Sequence, residues 1–382
     1  MNIIQMCGIL CAAGNVDIRD FRSGMNKLSA RGPDATQITS NDCVIMGFAR
    51  LAINGTDSGS MQPFSDSNVS LICNAEVFNH KNLERDLGYT PKSGSDCEVL
   101  LEGYKRWMFP ELCSRMDAEF AMIVHDADSK VLWIARDPYG VRPLYWGTTE
   151  NGTYVFSSEL KGLARMCMTS QQFTPGWFMG IDLSGNPEMF QYNPYTSLTL
   201  GPRLIMNRDD AAGRVATLLE EAVKKRLMCQ NGGVCCLLSG GLDSSLVAAL
   251  AQKNSSLPIH TYSIGMEGSP DLEYAKKVAE HIGSIHTTVC YPKEEFLNAI
   301  PWVVADIESY DVTTVRASVG NYLIGKFIRK FSNFKVVLNG DYADEVCGGY
   351  LYMKLAPSDE EFEKECRRLV GDIHYFDSLR SD

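Results

Sequence analysis

The stretch Ser239-Gly240-Gly241-Leu242-Asp243-Ser244-Ser245 decides how this chain is read. An apolar run, residues 234–238, leads into it, and a helix-like run, residues 246–253, follows. Strand, glycine turn and helix start form a layout in which backbone N–H groups and a helix N-terminus converge on an anion. Gly240 and Gly241 let the backbone come close, with no Cβ in the way. Ser239, Ser244 and Ser245 add hydroxyl donors, and Asp243 adds a carboxylate able to hold Mg²⁺ against phosphate oxygens. No Gly-Lys-Ser/Thr is present, so this is not a Walker-type loop. A bare Ser-Gly-Gly is read equally well as a serine-capped turn. The seven residues together, behind a strand, favour a nucleotide phosphate site.

Working outward, the 382 residues suggest two domains. Hydrophobic residues at 45% and charged residues at 22% are enough to bury large cores. A net charge of −11 argues against a nucleic-acid partner held through its phosphate backbone. The 13 cysteines are odd in number and include no C-x-x-C pair or zinc spacing, so most are expected to be small core residues. With no signal peptide and no run of membrane-spanning length, the chain reads as cytoplasmic, away from membranes, with reduced thiols. Homo-oligomerisation is compatible with this composition.

Residues 184–207 are rich in Gly, Pro, Asn and Ser without a period, which places a domain boundary there. Before it, residues 44–53, 69–78, 120–125, 131–136 and 154–157 read as strands, with a hairpin turn at Asn151-Gly152. Helical patterns lie at 17–29 and 96–108. This is a layered α+β domain. After the boundary, Val215, Leu218, Leu219, Val223 and Leu227 fall at helix spacing behind an acidic start at Asn207. Strands at 259–265, 285–291 and 335–338 then alternate with helices at 271–282 and 317–331. That alternation argues a parallel, doubly wound sheet, whose ligands sit at the carboxyl ends of its strands. The Ser239 loop and Asn339-Gly340-Asp341 both follow strand ends and so share one crevice.

The Ser239 stretch resembles the pyrophosphate loop of the ATP pyrophosphatases, which adenylate a carboxylate. At the other end of the chain, Met6-Cys7-Gly8-Ile9 resembles the start of class II glutamine amidotransferases. There a cysteine thiolate attacks the glutamine amide, and the cysteine's own free α-amine serves as base. Five residues precede Met6, so the resemblance requires a start at Met6 with its removal, or a clipped leader. Arg31-Gly32-Pro33-Asp34 matches an early signature of that family. Arg50-Leu51-Ala52-Ile53-Asn54 matches the segment whose arginine grips the glutamine α-carboxylate, which a guanidinium binds bidentately. Asn74-Ala75-Glu76 resembles the family's Asn-Gly-Glu, where the Asn amide and the next backbone N–H form an oxyanion hole. Ala75 replaces Gly and would be strained if the position needs φ > 0. Asp96 matches the residue that receives the glutamine α-ammonium, and it also stands where it can cap the following helix. Residues 136–145 fit a further signature and read as a structural turn.

Two motifs narrow the resemblance to the glutamine-hydrolysing asparagine synthetases. Residues 308–318, Glu-Ser-Tyr-Asp-Val-Thr-Thr-Val-Arg-Ala-Ser, are close to that family's aspartate-binding segment, with Thr313 and Arg316 at the contacting positions. Residues 339–350 resemble its Ser-Gly-Glu-Gly-Ser-Asp-Glu-Val-Phe-Gly-Gly-Tyr, with Asn339 for Ser, Asp341 for the catalytic Glu and Tyr342 for Gly. Asp344 matches the Mg²⁺-linked Asp. Leu238 and Ile264 match positions that contact ATP, as do Ser239, Gly240, Gly241, Asp243, Ser244, Asn339 and Gly340. Asp243 and Asp344 are the expected metal ligands.

The resemblance implies an N-terminal-nucleophile sandwich, residues 7–190, followed by an ATP pyrophosphatase-like α/β domain, residues 207–382, shorter at its C-terminus than in the family. It implies L-glutamine, L-aspartate and ATP as substrates and conversion of aspartate to asparagine through β-aspartyl-AMP. Cys7, Asn74 and Asp341 are the expected catalytic residues. A glutaminase without a working synthetase half, or a non-catalytic nucleotide-binding homologue, is the alternative that the early C-terminus and residues 339–342 leave open.

Overall fold

The computed structural model describes residues 6–41, 43–66, 68–196, 206–228 and 232–373. The chain divides into two compact units, Met1–Leu198 and Thr199–Asp382. Among the described residues no helix is long and apolar enough to cross a membrane.

The first unit holds, in chain order, β1 (Gly8–Ala13), α1 (Ile18–Leu28), β2 (Ala35–Ser40), β3 (Val44–Arg50), β4 (Phe64–Ser65), β5 (Val69–Val77), α2 (His80–Leu87), α3 (Val99–Arg106), α4 (Phe109–Arg115), β6 (Ala118–Asp126), β7 (Val131–Arg136), β8 (Tyr145–Thr148), β9 (Tyr154–Ser157), α5 (Leu160–Leu163), β10 (Thr169–Gln172), β11 (Trp177–Asp182) and β12 (Glu188–Pro194). The strands form two six-stranded sheets, ordered β10-β8-β9-β1-β3-β2 and β12-β11-β7-β6-β5-β4. All their pairings are antiparallel. Strand alternation explains how the sheets stack. Ile9, Cys11 and Ala13 of β1 face the second sheet and join Ile72, Ile123 and Ile134 in one core. Leu10 and Ala12 face the other way, onto Phe21, Met25 and Leu28 of α1. On the far side of the second sheet, Leu71, Cys73 and Phe120 pack against Leu100 of α3 and Phe109 and Leu112 of α4. The result is a helix–sheet–sheet–helix sandwich. Every residue of β1 is buried, which is why the strand is apolar throughout rather than alternating.

Two expectations shift here. The run 44–53 is strand only to Arg50, so Leu51 to Asn54 leave the sheet as a loop. β12 lies inside the stretch read as linker and pairs with β11; residues 197–205 of that stretch lie outside the described residues.

The second unit holds α6 (Arg208–Arg226), β13 (Val234–Leu237), α7 (Leu242–Lys253), β14 (His260–Gly265), α8 (Pro270–Ile282), β15 (Ile285–Cys290), α9 (Lys293–Ile307), α10 (Val312–Phe331), β16 (Val336–Leu338), α11 (Ala343–Cys347) and α12 (Asp359–Gly371). Its sheet is parallel, in the order β15-β14-β13-β16. One face packs on α6, α7 and α8 through Val223, Ala248, Ala251, Ala275 and Ala279. The other packs on α10 through Ile324 and Ile328. The chain builds β13, β14 and β15 outward in one direction, then returns to place β16 on the other side of β13. The order therefore reverses between β13 and β16, and a doubly wound sheet opens its ligand crevice at that point. The helix expected at 317–331 begins earlier, at Val312, because the Asp311 carboxylate caps it by accepting the Thr314 N–H at 2.7 Å. Thr313 and Arg316 accordingly sit in its first turns rather than in a loop before it. Residues 374–382 lie outside the described residues.

Candidate active sites

In the first unit, the loop after β3, the middle of β5 and the turn before α3 enclose a pocket whose lining includes Cys7, Arg50, Leu51, Ile53, Asn54, Asn74, Ala75, Glu76, Asp96 and Arg142. The Cys7 thiol is part of this lining. The Leu51 N–H donates to its sulfur at 3.4 Å, and the thiol reaches the Leu51 carbonyl at 3.5 Å. Arg31 Nε donates to the Cys7 carbonyl at 3.1 Å, while its Nη1 makes a buried ion pair with Glu159 at 2.9 Å. Burial pushes the thiol up to about 11, against the Leu51 N–H and the charges of Arg142 and Arg31. Cys7 is therefore a thiol at neutral pH and needs a base to become a nucleophile.

Beside it on β5, Asn74 and Glu76 project from the same face, two residues apart. The Asn74 Nδ2 is buried and has no hydrogen-bond partner. Such a donor is rare in a folded chain and marks a place where an acceptor is expected. Ala75 stays within the β5–β6 ladder and is not among the positive-φ residues, so the feared strain is absent.

The pocket lining also carries charged groups. Arg50 donates from Nη1 to the Asp57 carbonyl at 3.1 Å and from Nη2 to the Gly55 carbonyl, which fixes the guanidinium under the loop. Asn54 Nδ2 donates to Glu76 Oε1. Burial, and then the charge of Asp96, push Glu76 up to about 8. Asp96 is also pushed up, by burial, although it accepts the Val77 N–H at 2.7 Å. That bond corrects the capping expectation: the N-cap position of α3 is Glu98, and Asp96 spends its carboxylate on β5. A guanidinium, two protonatable carboxyls, a thiol and an unpaired amide in one pocket lining match an α-amino acid that carries an amide.

In the second unit, Ser239–Ser245 runs from just after β13 into the first turn of α7. Ser244 Oγ accepts the Ser239 N–H at 3.2 Å and bonds Ser239 Oγ at 2.9 Å; Ser239 Oγ accepts the Gly241 N–H at 3.2 Å. These hydroxyls tie the loop across itself. The N-cap of α7 is Gly241, which supplies no side-chain cap to its first-turn N–H groups. Gly240 holds φ +84°, and a Cβ there would lie 2.6 Å from backbone atoms of Tyr274 and Ala275 in α8. Only glycine permits that contact. A Cβ on Gly340, after β16, would lie 2.7 Å from the Ser244 nitrogen, so the Asn339–Asp341 loop rests directly on the Ser239 loop. Asn339 Nδ2 donates to Asp341 Oδ2 at 2.6 Å. Asp344, in α11, is pushed up by burial, then by the charges of the neighbouring Asp243 and Glu345. Leu238 and Ile264 lie at the ends of β13 and β14; the Leu238 N–H donates to Tyr262 at 2.8 Å. Thr313 is half-buried and Arg316 exposed on α10.

The Asparagine synthase family model matches residues 214–376, and the Glutamine amidotransferase domain model matches residues 6–208. The chain is 38% identical over 404 residues to a protein of Acanthamoeba polyphaga mimivirus named "Probable asparagine synthetase [glutamine-hydrolyzing]", covering 99% of this chain and 73% of that one. The asparagine synthetases [glutamine-hydrolyzing] of Gallus gallus and Homo sapiens are each 37% identical over 411 residues, covering 99% of this chain and 72% of theirs. The chain belongs to the asparagine synthetase family.

Within that family frame, sequence reasoning missed Arg142. Its segment is indeed a turn, organised by Asp137, whose carboxylate accepts the N–H groups of Tyr139, Val141 and Arg142, each at 3.0 Å. The turn brings Arg142 into the lining of the pocket, where its charge opposes the rise at both Cys7 and Glu76. Gln62, Cys73 and Cys97 also line the pocket and were not singled out. A long-range placement of this kind has no sequence spacing to betray it.

Proposed function

We propose that the chain makes L-asparagine from L-aspartate and ATP, with the amide nitrogen of L-glutamine, using residues 7–190 for glutamine and residues 207–382 for the synthetase step. The observation that carries the first half is the buried, partnerless Asn74 amide beside the Cys7 thiol. Arg50 takes the glutamine α-carboxylate, bidentate geometry being natural to guanidinium. Glu76 and Asp96 take the α-ammonium, which draws the proton off their raised carboxyls. Leu51, Ala52, Ile53 and Asn54 form the loop around the substrate, and Asn54 holds Glu76 in place. The α-amine of Cys7, when Cys7 is the first residue, accepts the thiol proton. The sulfur then bonds to the amide carbon, and the carbonyl oxygen becomes an oxyanion held by Asn74 Nδ2–H and the Ala75 N–H. The C–N bond breaks, the amine returns the proton, and ammonia leaves. Water cleaves the thioester to glutamate.

In the second half, a β-carboxylate oxygen of aspartate attacks the α-phosphorus of ATP and displaces pyrophosphate. Ammonia then attacks the β-carbonyl carbon and displaces AMP. Ser239, Gly240, Gly241 and Ser244, with the uncapped start of α7, hold the departing pyrophosphate. Leu238, Ile264, Asn339 and Gly340 bound the rest of the nucleotide. Thr313 and Arg316 receive aspartate carboxylate, and Asp341 stands at the catalytic position. Among the described residues no three His, Cys, Asp or Glu side chains gather as a preformed metal centre. Two neighbouring carboxylates suit Mg²⁺, which is commonly held by one or two carboxylates and substrate phosphates. Asp243 and Asp344 would hold it, and it would supply neutralisation of phosphate charge. The raised carboxyl of Asp344 supports this, since a cation would relieve the repulsion from Asp243 and Glu345.

The test is pyrophosphate release from Mg-ATP with free ammonia supplied, with and without aspartate. Aspartate-dependent release is expected. Its absence in folded protein would leave a glutaminase as the surviving reading.

A further inference from the structure

The groups proposed to receive the glutamine α-carboxylate and α-ammonium stand on separate pieces of chain. Arg50 ends β3, and its guanidinium is anchored on the carbonyls of Gly55 and Asp57 in the loop that follows. Asp96 stands in the turn before α3. Two observations join that loop to that turn. Gly55 holds φ +61°, and a Cβ on it would lie 2.7 Å from the Ser95 nitrogen and 2.8 Å from the Gly94 carbonyl carbon, so the two backbones touch. Beside them the Asp57 carboxylate reaches across. Its Oδ2 accepts the Gly94 N–H at 3.2 Å and the Ser60 hydroxyl at 3.0 Å, while its Oδ1 accepts the Ser60 N–H at 3.0 Å. Glu98 fixes the rest of the turn, accepting the N–H groups of Lys92 and Ser93 at 2.9 and 2.7 Å. Asp57 is exposed and lies outside the pocket lining. Capping the short Ser58–Ser60 turn accounts for its Ser60 N–H bond. It does not account for the bond to Gly94, 37 positions along the chain. That bond, ahead of the Ser60 ones, holds the Asp57 carboxyl below the usual carboxylate range.

We propose that Asp57 is a positioning residue for glutamine: it ties the loop that anchors Arg50 to the turn that carries Asp96, and so sets the spacing at which the pocket grips the α-carboxylate and the α-ammonium together. The effect on glutamine rests on the function proposed above; the tie between the two segments does not. Asp57 touches no reacting atom. Asn74 and Ala75 are held within β5, and Cys7 is held by Arg31, so the groups that break the amide bond stand outside the tie. With the tie in place, Arg50 and Asp96 are in register before glutamine arrives. Without it, the substrate must bring the two segments into register itself, and the cost of that ordering is subtracted from its binding. The loss therefore falls on affinity rather than on bond breaking, which is the behaviour of an interaction that serves ground state and transition state alike.

The test compares the whole parent protein with D57A and D57N. Glutamate release would be measured against glutamine concentration, with urea unfolding and peptide-resolved hydrogen–deuterium exchange on the same preparations. D57A removes all three bonds at an exposed position, so the fold is expected to persist. Its KM for glutamine should rise roughly tenfold, about the net worth of one hydrogen bond, with kcat unchanged. Exchange should quicken in the peptides that cover residues 55–60 and 93–96. D57N should fall between the parent and D57A, because one amide oxygen cannot accept from both the Ser60 and the Gly94 N–H. An unchanged KM in folded D57A, or a D57N equal to the parent, would overturn the positioning role. So would a fall in kcat that tracks a lowered urea midpoint, since Asp57 would then be a structural cap. Unchanged exchange in residues 93–96 would overturn the tie itself. If the parent releases no glutamate, the proposed function fails, and the exchange measurement still decides the tie.

Discussion

Truncating Asn74 to alanine separates catalysis from stability in a way the structure makes quantitative. The Asn74 Nδ2 is buried without an acceptor. A buried, unsatisfied donor costs about 1–3 kcal/mol, so N74A removes that penalty along with some packing of the side chain. The two effects oppose each other, and the stability of the first unit is expected to stay within about 1 kcal/mol of the parent. In the tetrahedral intermediate the same N–H gains the acceptor it lacks at rest. One oxyanion donor is worth roughly 10²–10³ in kcat, or about 2.7–4 kcal/mol. In the proposed site Arg50, Glu76 and Asp96 would hold the α-carboxylate and α-ammonium of the substrate, so KM for glutamine should change only slightly. The assay is steady-state glutamate release, paired with denaturant unfolding of the same preparation. A kcat within tenfold of the parent would refute the oxyanion role. So would a loss of several kcal/mol in stability with activity falling in proportion, because that would make Asn74 a structural residue.

Other outcomes follow from the same geometry. Glu76 is raised in the folded chain to about 8; its protonated form is favoured, so its contribution to stability is complete below the unfolded value and is lost as pH rises toward 8. An α-ammonium prefers the ionised carboxyl, so KM for glutamine should worsen below about pH 8, by up to tenfold per unit, and E76Q should flatten that profile while weakening binding throughout. G340A places a Cβ 2.7 Å from the Ser244 nitrogen; the two loops must part, and aspartate-dependent pyrophosphate release should fall roughly 10²-fold with glutamate release untouched. Tyr342 holds φ +71° where the family has glycine. Y342G should relieve about 1–2 kcal/mol of left-handed strain against about 0.5–1 kcal/mol of added chain entropy, a net gain read as a higher urea midpoint.

Legibility from sequence followed the range of the forces involved. β3 and β5 were readable because burial imposes apolar or alternating character on adjacent residues. The Ser239 loop was readable because glycine and hydroxyl requirements lie within seven consecutive residues. The start of α10 was misplaced because the polar residues Thr313, Thr314 and Arg316 hide its first turns, although Asp311 caps it as a helix start should be capped. Asp96 looked like a cap and is instead bonded to Val77, nineteen positions earlier in the chain. Arg142 gave no signal at all, since only the Asp137 turn brings it into the pocket. Ala75 and Tyr342 show the limit of reading a lost glycine: the first sits in an ordinary strand, while the second takes up the strained conformation.

The central claim is that one chain moves nitrogen from glutamine to aspartate. Its most direct measurement supplies glutamine labelled with ¹⁵N at the amide, aspartate and Mg-ATP, and follows the label by mass spectrometry. The account predicts asparagine carrying ¹⁵N in its side-chain amide, with one pyrophosphate released for each asparagine formed. Labelled ammonia with no labelled asparagine, in protein that also fails to use free ammonia, would contradict it.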